Sequence, residues 1–188
     1  MKPNLILILA SLFVSNLAWA VNSLTPQRIP APNNSSALEI SDGIRVVDSG
    51  GSSLVTLTSD LEGVQQVDAK WSADSRLVVV VISYNRGSGV EAAYFDGSSW
   101  HKTLQSDSDL PVDELSRQGG TSGRLIAQHC RLGDWLDPRR ITVTGDLIFP
   151  GQKRVAYGYT LIFTGGPVYL DRGGFEEGAI KGIGYHVR

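Results

Sequence analysis

One cysteine, Cys130, stands in 188 residues, so no disulfide can form within the chain and its stability has to come from packing. Histidine is also scarce, and His101, His129 and His186 are widely separated, which argues against a histidine metal cluster. The chain contains no G-x-S-x-G elbow, no H-E-x-x-H, no C-x-x-C and no glycine loop ending in Gly-Lys-Ser/Thr. Each of these absences removes a chemistry: the α/β-hydrolase nucleophile, the zincin site, the thioredoxin-like redox pair and the phosphate-cradling loop. No cofactor is expected on these grounds.

What is present at the N-terminus is a secretory signature. Lys2 precedes the apolar run Leu5–Val14, and Ala18 and Ala20 provide the small residues that signal peptidase reads. The apolar run is too short to cross roughly 30 Å of hydrocarbon, so residues 1–20 read as a signal peptide rather than an anchor. Cleavage would leave 168 residues with 16 basic and 19 acidic side chains, a length suited to one domain. That balance favours neither nucleic acid nor an anionic membrane, and no stable membrane span is expected in the mature chain. The expected location is periplasmic or secreted.

Residues 21–37 carry three prolines among Asn and Ser without periodicity, and they read as a flexible tether to a single β-rich domain over 38–188. Within that domain the apolar runs are short and bounded by turn residues. Leu77–Tyr84 is β-branched and continuous, which predicts a central strand buried on both faces. Hairpins are predicted through Asn85–Gly89, Asp96–Ser99 and Pro150-Gly151. In Arg154–Phe163, alternation places Val155, Tyr157, Tyr159, Leu161 and Phe163 on one face. Only Asp109–Ser116 reads as helix, with Gly119–Gly123 as a flexible joint after it. The fold class is therefore all-β, with antiparallel meanders forming two blade-like sheets packed as a sandwich or as an open propeller-like unit.

A weak internal repeat supports that picture. Trp71–Val79 aligns with Trp135–Val143 at an offset of 64 residues, matching Trp, Arg and the final Val. The first copy, V-D-A-K-W-S-A-D-S-R-L-V-V-V, resembles the W-S-P-D-G-K-x-I-A repeat of TolB-like and WD40-like β-propellers, with Ala73 and Ser75 in the Pro and Gly positions. The resemblance spans Val67–Leu104 and implies blade-like sheets, of which a closed propeller needs at least four.

The pair His129-Cys130 is adjacent in a predicted strand, where neighbouring side chains face opposite ways, so Cys130 reads as a buried structural residue. Trp100 and His101, just after the exposed D-G-S-S turn, are candidates for a recognition surface. Asp107, Asp109, Asp113 and Arg117 join them as candidates in the polar 105–123 segment, which connects to the other end of the strand starting at Trp100. The acidic run lacks the glycine that an EF-type loop needs and reads as a helix cap rather than a Ca²⁺ site. The function these readings support is a non-catalytic binding domain that contacts another envelope or secreted protein. The alternative is a small secreted hydrolase drawing on Asp74, Asp137 and His101 from separate loops.

Overall fold

The computed structural model describes residues 24–105, 112–121, 123–163, 167–169, 175–177 and 186–187. The predicted signal peptide, residues 1–20, therefore lies outside the described residues. The fold is all-β and antiparallel, with three four-stranded sheets where the sequence predicts two. Sheet I contains β1 (Gln27–Pro30), β2 (Ser36–Ile40), β3 (Ile44–Asp48) and β4 (Ser53–Thr58) in that order. Sheet II contains β5 (Val64–Trp71), β6 (Leu77–Tyr84), β7 (Gly87–Phe95) and β8 (Trp100–Gln105). Helix α1 (Val112–Gln118) precedes sheet III, formed by β9 (Ala127–Asp137), β10 (Arg140–Ile148) and β11 (Arg154–Ile162). The strands β12 (Pro167–Tyr169) and β13 (Phe175–Glu177) pair with each other, and β14 (His186–Val187) returns to the edge of sheet III beside β11.

Sheets I and II are meanders, as is β9–β11 of sheet III, and period-two alternation decides how the sheets stack. In β6, Val78, Val80 and Ile82 point into a core shared with Leu38, Ile40, Ile44, Val46 and Leu57 of sheet I. Leu77, Val79 and Val81 point the other way, into a core shared with Val143, Val155, Tyr157 and Leu161 of sheet III. Sheet II is thus the middle layer, which explains why β6 is apolar on both faces. The inward row of β11 is the predicted one: Val155, Tyr157, Tyr159, Leu161 and Phe163 are all buried. Cys130 is buried in the second core.

Two expectations need correction. The tether is in part a strand: Gln27–Pro30 pairs with β2, and Ile29 packs on the first core. Its prolines are compatible with this, because β1 is an edge strand and Pro30 is its last residue. Residues 119–121 are also not a loose joint. The amides of Gly119, Gly120 and Thr121 donate to the carbonyls of Leu115, Arg117 and Ser116 and close the helix C-terminus. Helix α1 then seats Leu115 in the second core beside sheet III. The Pro150-Gly151 hairpin is as predicted, with Gly151 at φ 72°, ψ 18°, the left-handed conformation a type II turn requires at its second central residue.

Candidate functional site

Trp100 and His101 do not form one surface. They are neighbours on β8, so their side chains leave opposite faces of sheet II. Trp100 packs on the first core, with its ring 5.7 Å from Trp71 and 5.7 Å from Phe95. His101 stacks on Tyr94 at 5.2 Å, on the side of the second core. The other candidates lie elsewhere. Asp113 and Arg117 are exposed on α1, while Asp107 and Asp109 are outside the described residues. Val112, at the start of that helix, lines a hollow with Gly87, whereas Trp100 pairs with Phe95 at the far end of β7. The nine residues of β7 separate the two groups by roughly 26 Å at about 3.3 Å per residue.

His101 does have a serine and an acid beside it, but not in a catalytic arrangement. Ser99 Oγ and Asp96 Oδ2 both meet Nε2 of the ring, at 3.0 and 2.7 Å. A nucleophile relay needs the hydroxyl on one ring nitrogen and the carboxylate on the other. Here Asp96 is a turn-forming residue instead: its Oδ1 accepts the amides of Ser98 and Ser99 and the Ser98 hydroxyl. Those donors, the Ser99 and Ser98 amides foremost, hold the Asp96 carboxyl well below the usual carboxylate range. A folded pKa below the unfolded value means the turn is supported above the ordinary pKa of 3.8 and loses that support as pH falls through the lower folded value. Asp96→Ala is therefore expected to raise amide exchange at Ser98 and Ser99 at neutral pH while leaving exchange in β6 unchanged. In the wild type, protection of the same two amides should persist in mild acid and fade only below pH 3.8. NMR exchange rates across an acid titration check both results.

The turns that follow Trp71 and Trp135 have a third copy in sheet I, which sequence reading missed, and the three lie at one end of the stack. In sheet II, Ser72 N–H donates to the Leu77 carbonyl, Ser75 N–H to the Ser72 carbonyl, and Asp74 Oδ1 accepts Arg76 N–H at 3.2 Å. In sheet I the same set recurs: Ala31 N–H to the Ser36 carbonyl, Asn34 N–H to the Ala31 carbonyl, and Ser35 N–H to Asn33 Oδ1 at 2.9 Å. Asn34 and Ser75 occupy the same position and both have positive φ, 57° and 61°. In sheet III, Asp137 Oδ1 accepts Arg139 N–H at 2.8 Å. The signal was present as A-P-N-N-S at 31–35, which reads like S-A-D-S-R at 72–76 once the prolines are treated as turn residues.

These turns are tied across layers. Asn33 N–H donates to Ser75 Oγ at 3.0 Å, Trp71 Nε1 donates to the Ile29 carbonyl at 3.1 Å, and Lys70 Nζ reaches the Gly133 carbonyl at 2.8 Å. The repeat also shifts register. Trp71 pairs with Val78 and Trp135 pairs with Ile141, so the sheet III turn is one residue shorter. Beyond it, equivalent residues lie 63 apart instead of 64, and the counterpart of Arg76 is Arg139, not Arg140. Each of these two arginines fastens the end of the third strand of its own sheet: the Arg76 carbonyl accepts Phe95 N–H at 2.8 Å and the Arg139 carbonyl accepts Phe163 N–H at 2.9 Å.

Between the two fastenings a cleft of about 70 Å³ opens, lined by Asp74, Arg76, Leu77, Tyr94, Phe95, Arg139 and Phe163. Arg76 lies over the Phe95 ring at 5.9 Å. Asp74 Oδ1 is occupied by Ser72 Oγ at 2.6 Å and by Arg76 N–H. Asp137 is engaged by Arg139 N–H and by Arg140 Nε at 2.5 Å, which lower its pKa from the ordinary value. Asp74, Asp137 and His101 are thus each bonded within their own turn. A second, more polar groove of about 530 Å³ lies along β5 and β9, lined in part by Gln65, Gln66, Asp68, His129 and Arg131. Among the described residues no group of three His, Cys, Asp or Glu side chains is placed to hold a metal, and no helix is long and apolar enough to cross a membrane.

Comparison with known proteins adds no name to this architecture: no family model, no curated protein and no solved structure matches the chain.

Proposed function

We propose that this is an exported, non-catalytic domain that binds another envelope or secreted protein, built on an open run of propeller-like repeats. The observation that carries the reading is the alignment of three like turns at one end of the stack, with the lined cleft between the second and third. Turns held by their own side chains cost little ordering when a partner docks, which suits recognition. The hydroxyl and carboxylate sharing one nitrogen of His101, and the turn-capping roles of Asp74 and Asp137, give the hydrolase alternative no converging set of groups.

Export has a direct test. Protein recovered from the periplasm or medium should have the intact mass of a chain starting at Val21, since Ala18 and Ala20 precede that position. Recovery of residues 1–20 with a membrane fraction would contradict it. For binding, immobilised protein is incubated with envelope extract alongside two folded variants, Ala73→Trp, which crowds the exposed turn end, and Asp113→Lys on α1. Specific partner retention by the wild type and Asp113→Lys, lost with Ala73→Trp, is the expected result. Absence of any specific partner, or turnover of ester or glycoside substrates by the wild type, would overturn it.

A further inference from the structure

We infer that the cleft between sheets II and III is a carboxylate site whose occupant is the C-terminal residue of an extended partner segment, ending in a modest apolar side chain. This rests on the binding reading above and names the chemistry of its site. Two arginines line the cleft, Arg76 from the β5–β6 turn and Arg139 from the β9–β10 turn, and among the described residues neither has a carboxylate ion-pair partner. Elsewhere on the molecule Arg45 is paired with Glu39 and Arg140 with Asp137. The one acid in the cleft, Asp74, has Oδ1 committed to Ser72 and the Arg76 amide, so the lining retains an excess of one positive charge.

The floor is apolar: Leu77, Tyr94, Phe95 and Phe163. A free phosphate would match the two arginines but leave that floor dry and unused. A carboxylate attached to an apolar side chain uses both, because a planar guanidinium presents paired donors to a planar carboxylate while the side chain covers the rings. The volume, about 70 Å³, is less than half of the roughly 150 Å³ that a benzene-sized cavity offers, which favours an aliphatic side chain over an aromatic one. Asp74 supplies an acceptor on the same wall for the N–H of that terminal residue. The carbonyls of both arginines accept the Phe95 and Phe163 amides, which fixes the two backbone turns from which the side chains extend.

The test uses the purified protein, isotope-labelled for NMR, with four probes: acetyl-Ala-Ala-Leu as acid, the same peptide as terminal amide, free leucine, and inorganic phosphate. The acid should shift resonances of residues 74–77, 94–95 and 139, and the amide should bind at least about tenfold more weakly, the loss expected when charge-assisted hydrogen bonds are removed. Arg139→Gln and Arg76→Gln should each weaken the acid by about tenfold or more while the pattern of the two cores stays unchanged. Equal binding of acid and amide, no perturbation at the cleft, or tighter binding of free leucine or phosphate than of the peptide acid would overturn the inference. Retention of the envelope partner by both arginine variants would overturn it too and leave the broader binding reading standing, whereas loss of every specific partner with intact peptide binding would overturn only the broader reading.

Discussion

Trp71→Ala is expected to destabilise the protein by about 3–5 kcal/mol, the range for truncating a large core aromatic. Trp71 stands at the junction of sheets I and II: its ring packs on the first core, meets Trp100 edge-on at 5.7 Å, and its indole N–H donates to the Ile29 carbonyl across the layers. Removing it opens a cavity and leaves that carbonyl without its donor. Trp135, its counterpart, packs on the second core with Phe163 at 6.3 Å, and its Nε1 is buried with no hydrogen-bond partner. The two tryptophans should therefore separate under a milder substitution. Trp71→Phe should cost about 1–2 kcal/mol more than Trp135→Phe, because only the former gives up a formed hydrogen bond, whereas the latter removes an unmet donor. Urea unfolding of the three single variants supplies the ranking. A Trp71→Ala variant within 1 kcal/mol of wild type would remove the role assigned to this junction.

Gly145→Ala should destabilise by about 3 kcal/mol or more, at or beyond the upper end of ordinary overpacking. Gly145 faces the second core from the middle of β10, opposite Cys130, and a Cβ there would collide with the His129 carbonyl oxygen and with Cζ and the hydroxyl of Tyr157. One of those contacts is backbone and another is a ring 1 % exposed, so neither has room to yield. Tyr157 is held in place as well, donating its hydroxyl to the His129 carbonyl at 3.3 Å. Gly89→Ala in β7 is the control: a Cβ there meets nothing within 4 Å, and the change should stay within about 0.5 kcal/mol. Similar stabilities for the two variants by thermal melting would mean that β10 shifts freely against β11, contrary to the packing described.

Much of the strand content was legible because it is written at period two. Leu77–Tyr84 is the strand the sequence predicts, residue for residue, and its burial on both faces follows from six successive β-branched or apolar positions, Leu77–Ile82. Sheet I was not legible in the same way. Its first strand is four residues long with a single core-facing residue, Ile29, too few positions for an alternation to register against three prolines. The adjacency of Trp100 and His101 suggested a shared surface, although alternation alone, as applied to His129-Cys130, already sends them to opposite faces.

By itself the sequence determines the local grammar: short strands, their inward rows, the Pro150-Gly151 hairpin, the brief helix and a single cysteine that cannot form a disulfide within the chain. Those features depend on residues a few positions apart, and steric and hydrophobic preferences at that range are strong enough to be read directly. The tertiary structure decided how many sheets there are, that the middle one is shared by two cores, and that Arg76 and Arg139 line one cleft. Two turns 63 residues apart meet only because β6 buries one face against each neighbouring sheet, and the missing residue in the third turn moves the equivalent arginine by one position. No local signal carries that placement, since it arises from layers packing on one another rather than from any segment's own preference.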